Sequence, residues 1–161
     1  MSEKLPIGGF KWSSAKRIKE LHKDLMSCDF SGADGAFIEC DIEYPEELQD
    51  LHDDMPLAAQ SVTVETAELS DHTRSRYGKQ GRRHIPGPKL VTHFGPRTGY
   101  VCHASVLQFY VRHGLKVIKI HRAVEFRQTA WLAEFIALNT ELRTKATTDF
   151  EKDFFKLMSG T

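Results

Sequence analysis

The chain has 161 residues, 40% of them apolar, with 22 Lys/Arg against 22 Asp/Glu and a formal net charge of zero. That is enough apolar material for one domain-sized core, and it excludes a chain held unfolded by low hydrophobicity and high net charge. No apolar run approaches a membrane span, and the three scattered cysteines, Cys28, Cys40 and Cys102, make neither a disulfide framework nor a zinc pattern, which fits a reducing intracellular setting.

The zero total hides a division. Residues 1–28 hold six Lys/Arg and three acids, 29–71 hold thirteen acids and no Lys or Arg, 74–128 hold twelve Lys/Arg against Glu125 alone, and 129–161 hold four against five. A basic block can face nucleic acid, or the two blocks can face each other.

Residues 5–12, LPIGGFKW, read as a turn-rich opening with Pro6, Gly8 and Gly9. Ser13 or Ser14 then caps a helix to about Met26, with Ile18, Leu21 and Leu25 inward and Lys16, Arg17, Lys19 and Lys23 outward. Gly35 to Tyr44 alternates as a strand: Ile38, Cys40, Ile42 and Tyr44 point one way, Glu39, Asp41 and Glu43 the other. Three carboxylates on one strand face suit either Mg²⁺ or plain solvent. Pro45 opens an expected short helix over 45–54 with Leu48 and Leu51 inward.

Residues 60–65 read as a short strand. Over 70–89, Arg74, Arg76, Lys79, Arg82 and Arg83 are mixed with Gly78, Gly81, Pro86, Gly87 and Pro88, which predicts a mobile basic loop, with an ordinary disordered insertion as the alternative. Tyr77 within it suits base stacking. A helix is expected from Ala104 to His113, stopped at Gly114, with Val106, Phe109 and Tyr110 buried. Val117–Phe126 reads as a strand with Ile118, Ile120, Val124 and Phe126 on one face.

The last third predicts two helices and a short turn. Trp131, Phe135, Leu138, Leu142 and Ala146 share one face of the first, capped by Thr129. Thr148 and Glu151 have capping-box spacing for the second, whose apolar side is Phe150, Phe154, Leu157 and Met158. Arg143, Lys145, Lys152 and Lys156 make this hairpin a candidate polyanion grip. The plainer alternative is i,i+3 pairing of Asp149 with Lys152 and Asp153 with Lys156. The eight histidines show no trustworthy metal-binding spacing, and no Walker-type loop, GxSxG elbow or HExxH is present.

Three blocks, FIECDIEYPEELQDLHDDMPL (37–57), LKVIKIHRAVEF (115–126) and NTELRTKATTDFEKDFFKLM (139–158), resemble the protein-primed family B DNA polymerases of large viruses, linear plasmids and Maverick/Polinton-type transposons. The opening MSEKLPIGGFKW is similar to the same group, and only 70–99 is loosely matched. The resemblance implies an α+β fold: an incomplete polymerase palm of few strands plus helices, a basic insertion and a C-terminal fingers hairpin. It divides the chain into 1–59 flanking the palm, 60–114 as the insertion, 115–128 as a palm-side strand and 129–161 as truncated fingers.

It further implies that the first palm motif lies before residue 1, that the fingers motif continues past Met158, and that the catalytic metal carboxylates lie outside this chain. Glu39, Asp41 and Glu43 are then not the metal site. Mg²⁺ serves the full-length enzyme and none is bound by this piece, which alone is expected to be inactive. Lys156 matches the fingers lysine on the incoming nucleotide's phosphates, followed in order of expectation by Arg143, Lys152 and Lys145. The implied partners are primer-template DNA, touched along its backbone by Arg74, Arg76, Lys79, Arg82 and Arg83 of the insertion, a dNTP and a terminal priming protein, with no membrane. The alternative is a non-catalytic transposon remnant that binds nucleic acid or the priming protein.

Overall fold

The computed structural model describes residues 3–81 and 83–160. Its centre is a four-stranded antiparallel sheet in the order β1-β6-β2-β5, formed by β1 (Leu5–Trp12), β2 (Asp34–Glu43), β5 (Arg97–His103) and β6 (Lys116–Thr129). Helix α1 (Ala15–Asp24) joins β1 to β2, and α3 (Ala104–Arg112) joins β5 to β6. Since each neighbouring pair is antiparallel, β1 and β2 run parallel with β6 between them, and β5 and β6 run parallel with β2 between them. The chain thus interleaves two split β-α-β units.

One face of the sheet carries the core. Ala36, Ile38, Cys40 and Ile42 alternate along β2 at 2% exposure or less and meet Leu21 of α1 and Leu107 of α3. The period-two pattern of β2 and the inward set of α1 are both as the sequence predicts. Ile38, Ile42, Leu21 and Leu107 each contribute about 1.5–3 kcal/mol by leaving water, Ala36 about 1 kcal/mol or less. Ser14 caps α1 by accepting from Arg17 N–H at 3.2 Å.

Residues 5–12 are not a turn but the edge strand β1. Gly8 and Gly9, at φ +146° and +70°, sit at register shifts in its ladder with β6, so the glycines bend a strand instead of ending one. Gly35 is a close approach: a Cβ there would lie 2.5 Å from the Phe126 ring and 2.4 Å from Gln128 Oε1.

Strand β6 runs longer than expected and its faces differ from simple alternation. Its pairing with β2 skips His121 and Ile118, so each is an extra residue. The bulge at 121 reverses parity. Ile120 and Ala123 face the helices at 5% and 2% exposure, Phe126 takes the opposite face, and Ile118 is 53% exposed. In α3 the buried side is Ala104, Leu107 and Gln108; Val106 and Phe109 are largely outside, and Tyr110 is half-buried. Gln108 is inward because its amide donates to Leu25 O (2.8 Å) and Cys28 O (2.7 Å), tying α3 to the end of α1.

Pro45 precedes only a single 3-10 turn, Glu46–Leu48, and Leu51 is exposed; the helix expected over 45–54 does not form. Strand β3 (Gln60–Val64) pairs with β4 (Gly87–Val91) as a separate two-stranded ribbon. Between them the expected mobile loop is helix α2 (Asp71–Lys79). Ser70 caps it, Asp71 opens it, and Arg76 and Lys79 close it, a charge order that suits the helix dipole; this outweighs Gly78. Of the insertion expected over 60–114, β5 lies in the main sheet and α3 packs on it, which leaves the β3–β4 ribbon and α2 as an excursion from that sheet.

The two closing helices are α4 (Ala133–Lys145) and α5 (Asp149–Met158). Thr148 and Glu151 form the predicted capping box. Thr129 ends β6 instead of capping α4, whose N-cap is Leu132 without a side-chain bond. The hairpin packs chiefly on itself.

Candidate functional site

The hairpin brings its four cations together on two short helices joined by a three-residue link, 146–148. Two of the four are engaged. Lys145 reaches Glu141 at 2.5 Å and Lys152 reaches Asp149 at 3.5 Å, both in solvent. Arg143 and Lys156 are exposed and have no carboxylate within salt-bridge distance among the described residues. The i,i+3 pairing expected of Asp149 with Lys152 therefore forms, and that of Asp153 with Lys156 does not.

The apolar stripes of the hairpin are present but outward. Phe150 is 79% exposed, Leu157 78% and Leu138 53%, while Asn139 and Ser159 are the residues its own packing buries. Polar residues in the seam give this hairpin little apolar attachment of its own.

Of the five insertion cations, Arg74 is bound to Asp71 at 2.6 Å, and Arg76 and Lys79 occupy the last turn of α2. Arg83 is exposed beyond it, and Arg82 lies outside the described residues. Tyr77 meets His84 edge to face with centroids 5.7 Å apart. α2 thus carries a positive end where the sequence suggested a positive loop.

Glu39, Asp41 and Glu43 are not a cation cage. Glu39 pairs with Arg122, Asp41 with His121 at 2.8 Å, and Glu43 with Lys116 at 3.8 Å, each across the β2–β6 ladder. Asp41 also accepts from Gly99 N–H at 2.9 Å; that bond and the one from His121 hold its carboxyl below the usual carboxylate range. Among the described residues no group of three potential ligands converges. Much of the acidic strand therefore faces the basic one, the second of the two readings the charge blocks allowed. One oxygen of each of the three carboxylates is engaged by a side chain of β6.

Sequence reasoning missed two features. The first is Arg97, 1% exposed, whose guanidinium donates to Ala58 O (2.8 Å), Leu57 O (3.2 Å), His93 O (2.5 Å) and Gly95 O. It clamps both legs of the excursion to the sheet. The second is the uncovered sheet face, where Phe10 and Phe37 cover Phe126 at centroid distances of 5.7 and 4.9 Å. Trp12 stands beside them under the Arg122 guanidinium, 5.5 Å from its ring.

Cys40 and Cys102, by contrast, are inert: burial pushes both thiols up to about 12, so neither is a nucleophile. No helix among the described residues is long and apolar enough to cross a membrane. No family model, no curated protein and no solved structure matches this chain.

Proposed function

We propose that this chain is a segment of a DNA-directed DNA polymerase of the protein-primed family B kind, whose α4–α5 hairpin grips the triphosphate of the incoming dNTP. The observation that carries the reading is the state of the hairpin cations. Among the described residues, the two ranked first from the resemblance, Lys156 and Arg143, are the two with no carboxylate in salt-bridge range, while Lys145 and Lys152 have one.

The chemistry suits them. A primer hydroxyl attacks the α-phosphate and pyrophosphate leaves, so negative charge grows on the β- and γ-phosphates. A lysine supplies a point charge there and an arginine a fork for two oxygens. In polymerases Mg²⁺ neutralises the same phosphates; on this reading its ligands come from outside this chain. The cationic end of α2 supplies contacts to the DNA backbone.

Calorimetric titration of the chain with dATP tests this. Replacing Lys156 or Arg143 by Ala is expected to weaken binding about tenfold, the lower range for a charge-assisted bond. Lys152→Ala, already tied to Asp149, is expected to change it less. Equal affinity of all variants would refute the grip.

The alternative, a non-catalytic nucleic-acid or priming-protein binding remnant, rests on α2 and separates cleanly. It predicts salt-dependent DNA binding lost on replacing Arg74, Arg76, Lys79, Arg82 and Arg83 by Ala, with no dATP binding.

A further inference from the structure

Among the described residues, α1 and α3 pack on one side of the four-stranded sheet. The other side presents planar groups on neighbouring strands: Trp12 and Phe10 of β1 at 65% and 61% exposure, Phe37 of β2 at 39%, and Arg122 of β6 with its side chain 63% exposed. Register puts them together, since Trp12 pairs with Val124, which in turn pairs with Phe37. Phe126 is 2% exposed beneath the Phe10 and Phe37 rings, so the two phenyls are held from below instead of swinging free. Large rings left uncovered on a rigid sheet need an occupant.

We propose that this open face is a stacking platform for single-stranded DNA, with bases laid on Trp12, Phe10 and Phe37 and Arg122 holding the backbone or a base face. The charges favour a polyanion over an apolar protein surface. Each carboxylate of the face is matched by a cation or imidazole: Glu39 is 24% exposed against 63% for its partner Arg122, Asp41 is locked to Gly99 N–H and His121, and Glu43, 51% exposed, lies against Lys116, while Lys119 adds a further exposed cation. Rings on a sheet face reach only splayed bases, which a duplex keeps stacked inside, so the ligand is an unpaired strand. Beyond Phe37 the face ends in a cavity of about 460 Å³ lined by Pro6, Phe37, His103, Val106 and Gln128, roomy enough for one base. The choice of DNA over RNA rests on the polymerase reading; the platform itself does not.

The test uses the full chain carrying Trp131→Phe, which leaves Trp12 as its single indole. Oligo-dT is added while indole fluorescence and the anisotropy of an end label are followed. Stacking quenches Trp12, and Trp12→Ala or Phe10→Ala each weaken oligo-dT binding by about fivefold or more, since a stacked base contributes about 1–3 kcal/mol. Both residues are more than half exposed, so these variants keep the fold, which thermal melting checks.

Unchanged fluorescence, or unchanged affinity in the Trp12→Ala, Phe10→Ala double variant, overturns the proposal. So does a duplex that quenches as strongly as oligo-dT, and so does self-association relieved by the double variant without any quench, which would assign the face to a protein. Tighter binding of oligo-rU overturns the DNA assignment. The dATP titration reads Lys156 and Arg143 separately, so either proposal can fail alone.

Discussion

Arg97 is the side chain on which the attachment of the excursion depends, and Arg97→Met measures it. The guanidinium is 1% exposed and its donors meet four backbone carbonyls, from Leu57 and Ala58 on one leg and His93 and Gly95 on the other. Among the described residues no carboxylate balances it, and burial works against its charge, yet an arginine stays protonated wherever the protein is folded. Methionine keeps the stem and removes every donor. Stranding each carbonyl costs about 2 kcal/mol, about 8 kcal/mol for the set, and release from burying an unbalanced cation offsets several kcal/mol, about 5, of that. A net loss near 3 kcal/mol is expected.

In urea, with a slope of about 2 kcal/mol/M, the midpoint falls by about 1.5 M. Arg97→Lys should fall between, because an ammonium can serve only some of the carbonyls. A midpoint within about 0.5 M of the parent for Arg97→Met would show that water or relaxation replaces the clamp, and the reasoning would fail.

Two further outcomes follow from local chemistry. Thr148→Ala removes the capping box of α5 and is expected to cost that helix about 1 kcal/mol; because the hairpin packs chiefly on itself, faster amide exchange over 149–158 should exceed any change in global melting temperature. The depressed Asp41 carboxyl contributes stability that is complete above the ordinary carboxylate range and is lost as pH falls through its lowered folded value. Asp41→Asn should therefore melt lower than the parent near neutral pH and converge with it in acid, whereas parallel melting curves across that range would count against the Gly99 and His121 bonds as the cause.

Where burial follows a local period, the residues alone were sufficient. The alternation of β2, the inward stripe of α1 and the Thr148–Glu151 cap depend on neighbours a few positions away, so each was legible before any fold was known. The site was legible in part for the same reason: the hairpin's cations and the Asp149–Lys152 pair sit on helices whose spacing the sequence states. Local spacing misled where distant partners decide. Gly8 and Gly9 read as a turn until β6 supplies a strand for them to bend along, and the basic stretch over 70–89 read as loop from its glycines and prolines, whereas the structure starts a helix behind a cap at Ser70.

Only the tertiary structure decided which way β6 faces, because the extra residue at His121 is defined by pairing with β2 and by nothing in β6 itself. It also decided that Arg97 is buried, that the acidic strand is neutralised by the basic one, and that Phe10, Trp12 and Phe37 share an uncovered surface. The physical reason is common to all four. Each depends on register between segments 25 to more than 100 residues apart, and a one-residue change in register exchanges the inside of a strand for its outside.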